Sequence, residues 1–147
     1  MKRIMAIVAA AVFVVAVAAG MANDTPAQTP RDGVFVHISH GKEDPHRLLM
    51  ALNMASLMAE DHDVLVYFDI KAINAVLKDS DDIMFAQFPS SKTALAALRD
   101  KKAILMACPG CLKAAGKSKE DLAEGIQIAD KAAFFSFTRG RILSLDY

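Results

Sequence analysis

The sequence predicts an α/β domain over residues 33–147: a doubly wound, mainly parallel five-stranded sheet with helices on both faces. Three observations carry this. Short β-branched or apolar runs, "VFVHIS" (34–39), "VLVYF" (64–68) and "AILMA" (103–107), alternate with longer stretches of helical character. "AILMA" is apolar throughout, as a strand covered on both faces should be. The first two runs flank a helical stretch of about four turns, and a β-helix-β unit implies neighbouring parallel strands joined by a right-handed crossover.

The chain begins with "MKRIMAIVAAAVFVVAVAAGMA", in which Lys2 and Arg3 precede an apolar run to Ala19, and Gly20 and Ala22 frame a cleavage point. That is the layout of a secretory signal peptide over residues 1–22, and it predicts a periplasmic or secreted protein. The run is a little longer than usual, so a membrane-anchored form is the lesser alternative, reached only if the segment stays uncleaved. Cleavage would leave 125 residues, enough for one domain with a real core, and 15 basic against 17 acidic side chains, a net charge of −2. A near-neutral domain without a basic stripe gives no reason to expect nucleic acid as a partner. Residues 23–32, "NDTPAQTPRD", are polar with two prolines and read as a flexible leader.

Each later element has its own signal. After "VFVHIS", Asp44 and Pro45 make an N-cap and first helical residue for "DPHRLLMALNMASLMAED". "VLVYF", bounded by Asp63 and Asp69, follows as the second strand. "IKAINAVLKD" and "SSKTALAALRDKK" read as two helices, the second capped by Ser90 or Ser91. "AILMA" is the third strand, followed by a short helix through Ala115 and the capped segment "SKEDLAEG". "IQIA", the helix "DKAAFFSFTRG" and "RILSLDY" complete the sheet. The commonest order for so few strands is 2-1-3 followed by the later ones, which makes the first and third strands neighbours. Their carboxyl ends, Ser39 to Lys42 and Cys108, would then flank the ligand crevice of such a sheet.

The only two cysteines stand at that point, in "LMACPGCLKAAGKS". With Cys108 as N-cap, Pro109 takes the first helical position, where its missing N–H costs nothing. A sulfur there can accept from free first-turn N–H groups, and the positive helix end favours an anion. Both effects favour thiolate, making Cys108 a nucleophile and Cys111, one turn on, a resolving or auxiliary thiol. A structural disulfide is the weak reading because two cysteines three apart close too short a loop to stabilise much. Packing of two small buried residues is the bland one. Zinc would need two further ligands from His40, His46 or Asp69 across loops, so neither a metal nor a cofactor is expected. A thioredoxin-like domain puts CxxC after its first core strand and needs a later cis-proline, whereas no proline follows Pro109.

His40 and His46 flank the Gly41-Lys42 turn, and His40 is the stronger candidate for a proton shuttle or cationic partner of Cys108. His37 shares a strand face with Phe35 and reads as a packed histidine. Met50, Met54 and Met58 form a stripe on a helix apolar nearly all round, and Phe134, Phe135 and Phe137 add further apolar surface. Both point to a homo-oligomer.

Taken together, "VFVHISHGKEDPHRLLMALNMASLMAEDHDVLVYFD", "LMACPGCLKAAGKSKEDL" and "GRILSLDY" resemble the DsrE/DsrF-like family, relatives of the TusD sulfur-relay proteins. The resemblance covers about residues 33–147. Its sharpest part is the cysteine ending the third strand with a glycine eight residues later, here Cys108 and Gly116. It implies a flavodoxin-like fold, homo- or hetero-oligomers, and a cysteine that carries sulfur as a persulfide, which by position is Cys108. Cys111 matches a second cysteine found in some members. Many members place Arg before the glycine where this chain has Ala115, so a cation beside the thiolate would have to come from Lys113, Lys117 or Lys42. The expectation is an exported sulfurtransferase-like carrier or thiol-exchange protein, whose partners are sulfur donor and acceptor proteins or small thiols. The reading from another class is a non-catalytic oligomeric binding module with an inert cysteine pair.

Overall fold

The computed structural model describes residues 29–147, so the signal segment expected over 1–22 and most of the expected leader lie outside the described residues. The end of the leader is tied to the domain. Arg31 Nε donates to the Asp61 carbonyl, and the Asp32 carboxylate accepts from the Arg141 main chain and guanidinium. No helix of the described residues is long and apolar enough to cross a membrane.

Five strands form one sheet, and every pairing in it is parallel: β1 (Gly33–Ile38), β2 (Asp63–Phe68), β3 (Ile104–Ala107), β4 (Ile126–Ile128) and β5 (Ile142–Asp146). Helices α1 (Pro45–Met58), α2 (Ser91–Asp100), α3 (Pro109–Ala114) and α4 (Lys131–Ser136) connect them. The α1 cap is as expected, Asp44 accepting from Arg47 N–H at 3.1 Å with Pro45 in the first turn, and Ser90 caps α2. This is the flavodoxin-like, doubly wound α/β class that the sequence predicts.

The strand order is not the predicted one. It runs β4-β3-β2-β1-β5, so β2 lies between β1 and β3. The place beside β1 that the 2-1-3 order reserves for β3 is taken by β5, in register from Gly33↔Ile142 to His37↔Asp146. Steps from β1 through β4 all go one way, and right-handed crossovers lay their helices on one face. The return to β5 carries α4 over the other. On the first face Val34, Val36, Ile38, Val66 and Phe68 are buried beneath Leu48, Leu52 and Ala55 of α1 and Ala94 and Leu98 of α2. The second face carries Phe35, His37, Leu65, Tyr67 and Met106, and Phe134 of α4 meets Tyr67 edge-on at 5.2 Å and Phe35 at 5.9 Å. Six residues of helix cover little of a sheet. Phe35 and Tyr67 are only half-buried, and Phe135 is 79% exposed.

The segment "IKAINAVLKD" is also tighter than the helix expected for it. Ile70–Val76 forms a 3-10 helix, with Ala72 N–H bonded to Asp69 O and Lys71 N–H spent on Ser39 O at the end of β1. Its entry residue, Ile70, has φ +44°, a left-handed conformation that a β-branched side chain rarely adopts. Gly41 lets the two loops touch there, since a Cβ at that position would lie 2.6 Å from the Lys71 carbonyl oxygen.

Candidate functional site

The chain turns from β3 into α3 at Cys108, whose N–H bonds to Phe68 O at 2.9 Å and so continues the β2–β3 ladder one residue further. Cys108 is the N-cap, Pro109 opens the helix, and the Cys108 sulfur accepts from Cys111 N–H at 3.4 Å. At the other end Gly116 takes φ +68°, with Gly116 N–H bonded to Lys113 O and Lys117 N–H to Leu112 O. That is a Schellman cap, which favours glycine because a Cβ penalises the left-handed conformation. The spacing of cysteine and glycine therefore marks the two caps of one short helix, anchored by buried Leu112.

Both thiols are free and partly exposed. Burial pushes the Cys108 thiol up, but the hydrogen bond from Cys111 N–H and the nearby Tyr67 hydroxyl, Cys111 thiol and Gly110 N–H favour its thiolate and hold it below the ordinary thiol range. Cys111 goes the other way. The Ile70 N–H favours its thiolate, yet burial and the nearby charges of Cys108 and Asp69 outweigh that donor and leave its thiol above the ordinary range. Tyr67 is raised by burial and by the neighbouring Cys108, so the phenol stays protonated. The two sulfurs are thus unequal, Cys108 the more and Cys111 the less prone to ionise.

Cys108 at the N-cap and Cys111 one turn on stand where the sequence predicts them, but the sequence does not disclose the residues around them. Tyr67 follows strand alternation and looks like ordinary sheet. Only the register His37↔Tyr67↔Met106, one step before Cys108, reveals it as a site residue. His37, expected to be packed, instead bridges two carboxylates. Its Nδ1 lies 2.8 Å from Asp146 Oδ1 and its Nε2 lies 3.0 Å from Asp69 Oδ2. Burial lowers its affinity for a proton, and the two carboxylates more than restore it, so the imidazole holds its proton more tightly than usual.

His40 is at the end of β1 with β2 between it and β3, a separation of about 10 Å for two strand spacings. Its ring contacts lie elsewhere: Nε2 is 3.4 Å from an Arg47 guanidinium nitrogen, and Nδ1 is 3.1 Å from Ser39 Oγ. Because arginine can only donate, His40 Nε2 accepts there and Nδ1 carries the proton toward Ser39, whose hydroxyl passes on to Tyr147 O. These residues line a cleft of about 660 Å³ between the carboxyl ends of β1 and β5, which in this strand order is the switch point. His46 stacks on Phe85 at 4.9 Å. Of the lysines offered as partners for the thiolate, Lys42 pairs with Asp81, Lys117 pairs with Asp79, and Lys113 lies in the last turn of α3, at the opposite end from Cys108.

Comparison with known proteins gives a consistent picture. Two solved structures share the fold at a TM-score of 0.54. The ychN protein from E. coli is 15% identical, over 78% of this chain and 99% of that one. MTH1491, a protein of unknown function from Methanobacterium thermoautotrophicum, is 17% identical with the same coverage. No curated protein matches. The profile of the DsrE/DsrF-like family matches residues 32–138, a span that holds all of the sheet but β5 together with both cysteines, and the chain belongs to that family.

Proposed function

We propose that this protein is an exported thiol-based sulfur carrier in which Cys108 accepts sulfane sulfur as a persulfide and passes it on. The observation that carries the reading is the placement of Cys108 as the N-cap of α3, its sulfur accepting from Cys111 N–H at 3.4 Å among groups that favour its thiolate, with Cys111 one helical turn away. Family membership, associated with sulfur relay, supports it.

The Cys108 thiolate attacks the outer sulfur of a donor persulfide. A new S–S bond forms at Cys108, the donor's S–S bond breaks, and the donor leaves as a thiolate with the electron pair. The sulfur moves without a net change of oxidation level, so no external oxidant is required. An acceptor thiolate then attacks the outer sulfur and restores Cys108. Attack by Cys111 on the Cys108 sulfur instead expels hydrosulfide and closes a disulfide, which a small thiol must reopen. Donors and acceptors are proteins or small thiols that reach the half-exposed site. The apolar second face, with Phe135 outermost, is the surface on which copies of the chain associate.

The mature protein, incubated with a persulfide donor and analysed by intact mass, should gain one sulfur atom that reductant removes. The gain should persist in Cys111→Ser and vanish in Cys108→Ser. Failure to load the wild-type protein, or equal loading of Cys108→Ser, would replace the carrier by a binding module with inert cysteines. The same spectrum of protein recovered from the exporting cell reads whether residues 1–22 have been removed.

A further inference from the structure

His37 and Asp69 play no part in the transfer steps above, yet they form the ionisable pair set against the cysteines. In the chain, Asp69 stands between Phe68, whose carbonyl accepts from Cys108 N–H, and Ile70, which opens the 3-10 helix packed against the cysteine-bearing α3. Its side chain is 18% exposed, and its buried Oδ1 has no hydrogen-bond partner. Oδ2 meets His37 Nε2 at 3.0 Å, a charge contact without the alignment of a good hydrogen bond. His37 is fixed from its far side by Asp146.

We propose that His37 and Asp69 are positioning residues for the cysteine pair, Asp69 setting a negative charge against Cys111 and His37 supplying the positive charge that offsets it. With His37 protonated, the Asp69 charge is largely balanced and a thiolate at Cys108 is opposed only weakly. With His37 neutral, the carboxylate acts unbalanced on both sulfurs, most strongly on Cys111. The pair thereby ties loading of Cys108 to the protonation of one histidine. The groups facing His37 are Asp146 from β5, Asp69 and Tyr67 from the end of β2, and His40 and Arg47 across the cleft from the β1 end and α1. Arg47 is paired with Asp44, and α4 brings uncharged Phe134 against Tyr67. The directions at both ends agree with the geometry: Asp69 disfavours ionisation of Cys111 and Tyr67, and the two carboxylates favour protonated His37.

The inference rests on Cys108 being the nucleophile but not on sulfur being its cargo, so alkylation tests it independently. The rate of Cys108 modification by iodoacetamide is measured against pH in the full chain, by mass spectrometry of the peptide. Asp69→Asn should displace the profile to lower pH and speed modification at pH 7 about threefold, the size of a partly exposed charge interaction. His37→Gln should displace it to higher pH and slow modification by a similar factor, and the double variant should return close to wild type. Loosening of the fold would move both single variants the same way, so opposed signs are diagnostic. Asp146→Asn, at an exposed position, keeps the test open if the buried variants fold poorly: the His37 ring should then titrate at lower pH by NMR. Displacement of both single variants in one direction, or of neither, overturns the proposal. An ordinary thiol profile for wild-type Cys108 would instead overturn the carrier reading, while opposed displacements would still establish the pair.

Discussion

Tyr67 and Cys108 stand on neighbouring strands, Tyr67 pairing with Met106 two residues before Cys108 on the sheet face that α4 covers, and the phenol favours the Cys108 thiolate. A phenol normally loses its proton more easily beside a hydrogen-bond donor. Here the partner is an acceptor that itself ionises first, so the pair settles as thiolate and phenol. Tyr67→Phe removes the donor and leaves the ring packed against Phe134. Hydrogen bonds to charged groups contribute about 1.5–3 kcal/mol, and partial exposure of Cys108 favours the low end. Alkylation of Cys108 at pH 7 should therefore fall about tenfold, the equivalent of about 1.4 kcal/mol. Urea denaturation should change far less. An unchanged alkylation rate would show that the N–H groups of Gly110 and Cys111 suffice alone.

The two glycines beside the site should respond differently to alanine. At Gly116 nothing lies within 4 Å of an added Cβ, so the cost is conformational only, about 1–2 kcal/mol for a left-handed residue. Gly116→Asn should recover part of that loss, because asparagine tolerates the conformation. At Gly41 the added Cβ meets the Lys71 carbonyl oxygen, main chain that cannot swing aside, and the loop carrying Ile70 must move. Gly41→Ala should cost about 1–3 kcal/mol and also slow Cys108 modification, whereas Gly116→Ala should affect stability more than chemistry. Urea midpoints and alkylation rates for both variants separate the two mechanisms.

His37 gives stability a pH dependence of known sign. Its folded affinity for a proton is raised above the unfolded value of 6.5, so its contribution is fully present below that pH and is lost as pH rises through the folded value. The Asp146 partner is 70% exposed, which limits the effect to below about 1 kcal/mol. Urea midpoints of the wild type should decline over the window that opens above pH 6.5, and those of His37→Gln should be flat there. A midpoint that rises over that window would contradict the Asp69–His37–Asp146 arrangement.

What the sequence disclosed and what it hid divide along the range of the interactions. Asp44-Pro45, Ser90 and Cys108-Pro109 are local signals, and each sits where its residue type predicts because a cap is decided within one helical turn. The partner of a strand is not local. Nothing in "VFVHI" states that "ILSLD" rather than "ILMA" lies beside it, and the default order 2-1-3 therefore drew His40 toward Cys108 and left His37 in the core. With β2 in between, the residues that meet the cysteines come from the end of β2, Tyr67 through Ile70. Two of these, the aromatic on an alternating strand and the aspartate that ends it, carry no motif. The switch-point argument also changes target, since in the observed order it singles out the cleft between β1 and β5 and not the cysteines.

Ile70 offers the sharpest test of whether the loop after β2 is shaped for the site. A β-branched residue at φ +44° with a side chain 62% exposed gains little from burial and bears a conformational cost of about 1–2 kcal/mol. The same residue opens the 3-10 helix that packs against α3, and its N–H favours the Cys111 thiolate. Ile70→Gly removes the cost and keeps the N–H, while giving the unfolded chain more freedom to lose. Stability should therefore rise by about 1 kcal/mol or less, with the Cys108 and Cys111 modification profiles nearly unchanged. Ile70→Ala keeps the left-handed penalty and discards only exposed side-chain atoms, so its urea midpoint should stay near wild type. If Ile70→Gly loses stability and Ile70→Ala loses as much, the side chain is engaged in a contact, most simply with a second copy of the chain. A gain in the glycine variant alone would mark Ile70 as a position where main-chain geometry at the cysteine pair is held at the expense of local conformational preference.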